Sequence, residues 1–341
     1  MTADTPAPTA ALSADDVVLV TGSTDGIGRE VARNVAAAGA TVLVHGRDRE
    51  KGRATVADLP GEGHEFYPAD FAEMDAVREF ASAVRDDYDR LDCLVNNAGT
   101  WQSDRRLVPV PGSDRDVELT FAVNHLAPFL LTHLLADRLR EAAERRTGAD
   151  AHGESDTDAQ GESDADGADA AESTLSDPAR VVTVSSAVHQ RATMDLEAVR
   201  GPEGPAGVEA YGLSKLATIM FTSEAARRSP DGVVANCCHP GVSPATGLAR
   251  DGSLFAGLGW RVYGLVGKVV DVTDSPVEAA KTPTYLAGSP EAADANGDYF
   301  ADCERTRPSE DAHDRSAQRE LWERSAEWVA LTDAERERLT G

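Results

Sequence analysis

Tyr211 and Lys215 place a phenol and an ammonium at i and i+4, on one face of a helix. A cation so placed favours the phenolate, which suits the tyrosine to proton transfer at a carbonyl or alcohol. Far upstream runs Thr21-Gly22-Ser23-Thr24-Asp25-Gly26-Ile27-Gly28. It follows the apolar run Val17–Val20 and opens a helical pattern, so it occupies a strand–turn–helix. Glycines there let the backbone approach a pyrophosphate lying on the helix N-terminus. Either motif alone is short enough to arise by chance. Together and in this order they point to a nicotinamide-dependent oxidoreductase.

The elements that must position these residues follow from the apolar pattern. Strands are expected at 17–21, 41–45, 65–67, 92–96, 180–185, 232–238 and 298–301. Between the third and fourth, Val77, Phe80, Ala81, Val84 and Tyr88 recur at helical spacing. Repeated strand–helix alternation predicts an α/β fold: one doubly wound Rossmann domain over 15–335 with a seven-stranded parallel sheet. Residues 1–14 read as a disordered tail. Segment 147–178, between a helix ending near Arg146 and a strand starting near Arg180, carries ten acids and no Lys or Arg. It reads as a disordered insertion into a connection remote from the site.

Composition narrows the partners. The formal charge of −26 argues against nucleic acid and anionic membrane surfaces, and only four of the 33 basic residues are lysine. Without the ten acids of 147–178 the chain would still carry −16, so the acidity is distributed. A surface of this kind suits concentrated salt, where screening removes self-repulsion, and a halophilic source is expected. Cys93, Cys237, Cys238 and Cys303 form no C-x-x-C and read as reduced thiols. No metal is expected: His125 and His239 lack ligand spacing with another His, Asp or Cys. No signal peptide and no uninterrupted apolar run of membrane-span length is apparent, so a cytoplasmic protein is expected. Association into a homo-oligomer is left open.

The order of further motifs resembles the short-chain dehydrogenase/reductase superfamily from about residue 15 to 335. Asn96-Asn97-Ala98-Gly99 follows a strand, Asn124 lies in Phe121-Ala-Val-Asn-His-Leu, Ser185-Ser186 ends a strand, and His239-Pro240-Gly241 follows another. The resemblance implies that Tyr211 is the general acid in reduction and the base in oxidation. It implies that Lys215 lowers the tyrosine pKa and holds the nicotinamide ribose, and that Ser186 hydrogen-bonds the substrate oxygen. Ser186 is preferred to Ser185 because the family uses the second serine of such a pair. Asn124 would hold a water relaying protons to Lys215. The spacing of 25 residues from Ser186 to Tyr211 resembles that of the retinol-dehydrogenase-like branch. In this reading Asp70 and Phe71 flank the adenine, and Asn97, Ala98 and Gly99 pack on its ribose. Pro240, Gly241 and Val242 shape the carboxamide pocket. Thr246 matches the family's threonine beyond that turn only approximately, because Pro244-Ala245 shift the spacing.

Cofactor choice rests on the end of the second strand, His45-Gly46-Arg47-Asp48. An NAD enzyme places a carboxylate here for the ribose 2′-hydroxyl, whereas an arginine can clamp a 2′-phosphate. Gly46-Arg47 resembles the NADP-preferring pattern, so NADP(H) is expected. Asp48 taking the ribose would favour NAD(H) instead. Segment 248–275, apolar and interrupted by glycines, corresponds to the family's substrate lid and suggests that the small-molecule substrate is a bulky hydrophobic carbonyl or alcohol rather than a sugar. A different class of function, a cofactor-sensing regulator without turnover, would be expected to lose Tyr211, Lys215 or Ser186.

Overall fold

Runs of β-branched residues without polar alternation make strands buried on both faces. The computed structural model describes residues 12–153, 177–241 and 275–340. Its strands are β1 (Val17–Val20), β2 (Thr41–Gly46), β3 (Glu65–Pro68), β4 (Cys93–Asn96), β5 (Leu107–Val108), β6 (Val117–Glu118), β7 (Ala179–Val184), β8 (Val233–Cys238), β9 (Tyr299–Ala301) and β10 (Glu304–Thr306). One eight-stranded sheet takes the order β10-β9-β8-β7-β4-β1-β2-β3. All seven strands expected from the sequence lie in it and pair in parallel. The expected count of seven is corrected to eight by β10, which pairs antiparallel with β9. Asp302 and Cys303 make the reversal in the left-handed region, at φ 51° and 62°. Neither residue is a glycine, so Asp302 was the one turn signal for the hairpin.

Alternate residues of the central strands feed two cores. Leu19, Leu43, Leu94 and Val181 face one side, with α3 (Met74–Asp87), α5 (Ala127–Gly153) and α6 (Gly207–Arg228). Val18, Val20, Val42, Val44, Val95 and Val182 face the other, against α1 (Gly26–Ala37) and the helix Lys281–Gly288. Val77, Phe80, Ala81 and Val84 are the buried stripe of α3, as their spacing implied. A short α4 (Leu119–Phe121) and a π-helical turn, Ala122–Leu126, lead into α5. The stretch Leu119–Arg146 has the length and apolarity of a membrane span, yet 94% of its most apolar window is buried inside the protein, as in a core helix. Near the C-terminus the helices Arg315–Trp328 and Asp333–Thr340 lie on α6 and α5 respectively.

The helix expected to end near Arg146 continues to Gly153. Arg146 itself is held by three carboxylates: Asp16 at 2.5 Å, Asp92 at 3.2 Å and Asp177 at 2.9 Å. Asp16, Asp92 and Asp177 stand just before β1, β4 and β7, and Asp177 also binds Arg180 at 2.5 Å. The ion cluster therefore closes the amino end of the sheet and clamps the point where the chain returns into β7. Residues 154–176, most of the expected insertion, lie outside the described residues, as do 1–11. So does the expected lid apart from Ser275, which caps the turn Pro276–Ala279.

Replacing 154–176 by a short Gly-Ser linker should leave kcat and KM unchanged, because the flanking chain sits at the end of the sheet opposite the carboxyl ends of the strands. Steady-state kinetics of the deletion variant check this, and loss of cofactor binding in a folded variant would contradict it.

Candidate active site

The first strand–helix connection works because side chains are missing from it. Gly22 has φ +65°, and a Cβ there would lie 2.8 Å from Ala98 Cα. A Cβ on Gly28 would lie 2.3 Å from Asn97 Nδ2 and 2.5 Å from the Gly22 carbonyl oxygen. The loop thus packs backbone to backbone on the segment after β4. Thr21 stitches the two: its Oγ1 accepts from Asn97 N at 3.0 Å and Ala98 N at 2.9 Å, and donates to the Val95 carbonyl at 3.2 Å. Asn97 Nδ2 returns a bond to the Thr21 carbonyl at 2.8 Å. Asp25 caps α1 by accepting from Gly26 N.

His45, at the end of β2, is a member of this assembly that sequence reasoning passed over. Gly22 N donates to its Nδ1 at 3.0 Å, while Nε2 sits 3.3 Å from the Ala69 carbonyl oxygen. A backbone N–H can only donate, so Nδ1 carries the lone pair and Nε2 the proton. Burial pushes the His45 pKa down to about 3, with neighbouring Arg47 acting in the same direction. The ring stacks on Phe71 at 4.0 Å. A lone polar residue ending an apolar strand was the one signal available for it.

A cleft of about 580 Å³ runs from this loop to the carboxyl ends of β4 and β7. Of the residues expected to bind cofactor, Gly22, Thr24, Gly26, Ile27 and Gly28 line one end. Arg47, Asp70 and Phe71 line the same half; Asn97, Ala98 and Gly99 form a wall, and Pro240 and Gly241 line it as well. Thr21 and Ser23 are buried and do not line the cleft, which corrects their expected role to holding the loop. Ser23 Oγ donates to the Val20 carbonyl at 2.7 Å and accepts from His45 N at 3.1 Å. Val242 and Thr246 lie outside the described residues. Arg47 is exposed, with Asp70 at 3.8 Å. Asp48, the alternative ribose ligand, caps α2 (Arg49–Asp58), accepting from Glu50 N at 3.0 Å and Lys51 N at 3.1 Å. The side-chain-free loop, the helix N-terminus and the cleft volume fit a dinucleotide.

Ser186, Tyr211 and Lys215 line the same cleft. Both serines of the pair line the cleft, and their surroundings differ. Ser185 Oγ is buried and donates to the Lys215 carbonyl at 2.8 Å, whereas Ser186 stands at the head of the 3₁₀ turn Ala187–Arg191 beside Tyr211. Lys215 Nζ donates to the Val184 carbonyl at 2.8 Å and lies 5.7 Å from the Tyr211 ring centroid. Burial pushes the Tyr211 pKa up to about 12, and the Ser186 hydroxyl acts in the opposite direction. Burial also brings Lys215 down to about 8. The expected lowering of the tyrosine pKa by Lys215 does not accompany these two effects, and the phenol is protonated at neutral pH.

Asn124 is buried behind the cleft in the π-helical turn. Its Nδ2 donates to the Thr100 carbonyl at 3.0 Å and to Ser214 Oγ at 2.9 Å, and its Oδ1 accepts from Thr100 N at 2.7 Å. Both donors are used and one acceptor lone pair remains, so its clearest work is tying the end of β4 to α6. His125, expected to be structural, is buried with Nε2 2.7 Å from Ser325 Oγ.

A short chain dehydrogenase family model matches residues 16–149. Human retinol dehydrogenase 13 is 32% identical over 336 residues, covering 95% of this chain and 87% of that protein. Mouse polyprenol dehydrogenase is 33% identical over 331 residues, covering 93% and 84%. Among solved structures, an uncharacterised protein from Mycobacterium paratuberculosis has a similar fold, with a TM-score of 0.66 at 25% identity over 94% of this chain and 96% of that one. The chain belongs to the short-chain dehydrogenase family. It is an enzyme of that oxidoreductase family, with retinol-dehydrogenase-like relatives.

Two predictions follow from the buried imidazoles. His45→Phe keeps a ring against Phe71 but leaves Gly22 N–H and the Ala69 carbonyl unpaired, which should cost about 1–3 kcal/mol of stability and weaken cofactor binding. Chemical denaturation and NADPH titration measure both. The pKa values of His45, His125 and His133 fall from 6.5 to about 3, 3 and 4 through burial. Below pH 6.5 the unfolded chain binds protons that the folded protein excludes, so stability is present above that pH and lost as pH falls. Each imidazole contributes a slope of about 1.4 kcal/mol per pH unit within its window. The slope for His45→Phe between pH 4 and 6 should be smaller than wild type by about one proton.

Proposed function

We propose that the protein is an NADP(H)-dependent oxidoreductase that moves hydride between the nicotinamide and a hydrophobic carbonyl or alcohol. The observation that carries this reading is that Ser186, Tyr211 and Lys215 line the same cleft as the glycine loop and Asn97–Gly99. NADPH, when bound, supplies the hydride. In the reducing direction the protonated Tyr211 gives its proton to the substrate oxygen, and the Ser186 hydroxyl donates a hydrogen bond to the same atom. Lys215 is placed to hold the ribose hydroxyls and to limit the cost of the phenolate left on Tyr211. Preference for the 2′-phosphate rests on Arg47 lining the cleft while Asp48 is engaged as a helix cap. A hydrophobic substrate is supported by Trp101, Leu107, Val108, Leu119, Val123 and Val188 along the remaining wall. Relatives named for retinol and polyprenol, both long apolar alcohols, agree with it.

The rival reading, a cofactor sensor without turnover, is disfavoured because the three groups that chemistry requires share one cleft. Distributed acidity supports a halophilic setting.

Turnover is tested by mixing NADPH with retinal, decanal and benzaldehyde at molar KCl and following absorbance at the nicotinamide band. Binding without turnover of any of them would favour the sensor. Tyr211→Phe should keep cofactor binding and lose more than about tenfold in kcat, or ~1.4 kcal/mol of barrier. Arg47→Ala should weaken NADPH more than NADH. A charge-assisted contact is worth about 1.5–3 kcal/mol, and the lower end applies because the guanidinium is 68% exposed. Equal losses would contradict the 2′-phosphate assignment. The melting temperature should climb from dilute buffer to molar KCl as screening relieves like-charge repulsion.

A further inference from the structure

His189 is completely buried in the 3₁₀ turn that follows Ser186, and it makes no contribution to the chemistry described above. Its Nδ1 lies 2.7 Å from the Ser186 carbonyl oxygen, and Ser309 N donates to its Nε2 at 3.1 Å. Because a backbone amide can only donate, Nε2 holds a lone pair and Nδ1 carries the proton toward Ser186. The imidazole is therefore neutral. Burial lowers its pKa, and His239 acts in the same sense. The Ser186 carbonyl also accepts from His189 N at 3.1 Å, so both of its lone pairs are engaged. The Ser186 side chain has a weak 3.5 Å contact from Val188 N and a hydrogen bond with Tyr211, the group it must work beside, whereas Ser185 is locked by its 2.8 Å bond to the Lys215 carbonyl. The direction of the Ser186 hydroxyl thus depends on how firmly its peptide is held.

What holds it is the C-terminal segment. Ser309 leads into the turn Glu310–His313; Asp311 accepts from Thr193 Oγ1 at 3.0 Å, and Gln318 Nε2 donates to the Ala312 carbonyl at 2.6 Å. The helix Arg315–Trp328 that follows packs on α6, which carries Tyr211 and Lys215. One segment therefore braces both partners of the site.

We propose that His189 is a positioning residue: a neutral imidazole bridge from Ser309 that fixes the Ser186 peptide and so aims the Ser186 hydroxyl at the substrate oxygen. The proposal rests on the reading of Ser186 given above.

The two bonds can be removed separately. The amide of His189→Asn falls near Nδ1 and retains donation to Ser186, while His189→Gln reaches toward Ser309 and loses it. Ser309→Pro deletes the N–H at a residue whose φ, −59°, a proline already favours. Kinetics use NADPH with whichever of the three aldehydes wild type reduces fastest, alongside NADPH Kd and melting temperature. His189→Gln should lose about tenfold to a hundredfold in kcat with NADPH Kd unchanged, the size expected when a reacting group is misplaced by about an ångström. His189→Asn and Ser309→Pro, which both lose the Ser309 bond but keep donation to the Ser186 carbonyl, should each lower kcat by less than His189→Gln, the proline variant being compared at temperatures where it is folded. Equal kcat for Asn and Gln, or losses that only follow melting temperature, would overturn the proposal; if both histidine variants fail to fold, unchanged kcat in Ser309→Pro does so. Ser186→Ala separates the two claims. An undiminished kcat there, or no aldehyde reduced by wild type, sinks the reading of Ser186 and this proposal with it. A collapse in Ser186→Ala without the Asn–Gln difference sinks the positioning role alone.

Discussion

The close approach of two backbones, at Gly22 and Ala98, is the constraint from which the rest of the site follows. It occurs beside β1 and β4, where the strand order reverses and the chain cannot cover the carboxyl edge of the sheet with a helix. A Cβ at Gly22 or Gly28 would push the loop off the segment after β4. The resulting shelf has few side chains and exposes backbone N–H groups at the start of α1, which is what a phosphate needs. Thr21, Ser23, Asn97 and His45 spend their polar atoms holding this shelf. They are part of the binding site in the sense that they make its shape.

Neutral buried imidazoles recur as fasteners between distant stretches. His45 joins the glycine loop to the chain after β3, His125 joins the π-helical turn to Ser325, and His189 joins the Ser186 peptide to Ser309. An imidazole can accept at one nitrogen and donate at the other across about one ring width, which no aliphatic side chain can do. Desolvation keeps these rings uncharged. Two of the three end in the C-terminal segment, so the last helices stabilise the site although they contribute no reacting group.

The opposite end of the sheet is governed by charge. Arg146 and Arg180 gather Asp16, Asp92 and Asp177 where β1, β4 and β7 begin. A largely buried carboxylate such as Asp92 needs these cations, since burial alone raises its pKa. Among the described residues the fully buried acids are few, Asp16, Asp92, Glu118 and Glu224, and the others keep access to solvent, where salt screens them. The separation leaves the carboxyl edge of the sheet to binding and chemistry, and the amino edge to anchoring.

Local spacing was sufficient for much of this protein. Seven strands, the buried stripe of α3, the glycine loop and the Tyr211–Lys215 pair each depend on residues a few positions apart, whose periods of two and 3.6 are written along the chain. The resemblance added Ser186 over Ser185; in the structure Ser185 bonds the Lys215 carbonyl and Ser186 stands beside Tyr211. What tertiary structure decided were relations between residues far apart. Thr21 turns inward to partners at and after β4, Ser23 joins the end of β1 to His45 of β2, and Asp48 belongs to a helix N-terminus instead of the cleft. Burial in the folded protein raises the pKa of the Tyr211 phenol, and the Ser186 hydroxyl works against it. His45 and His189 have meaning only through Gly22, Ala69, Ser186 and Ser309. Hydrogen bonds across 23, 24 and 120 residues of chain leave no period in a single sequence, because their geometry exists only once the sheet has brought the ends together.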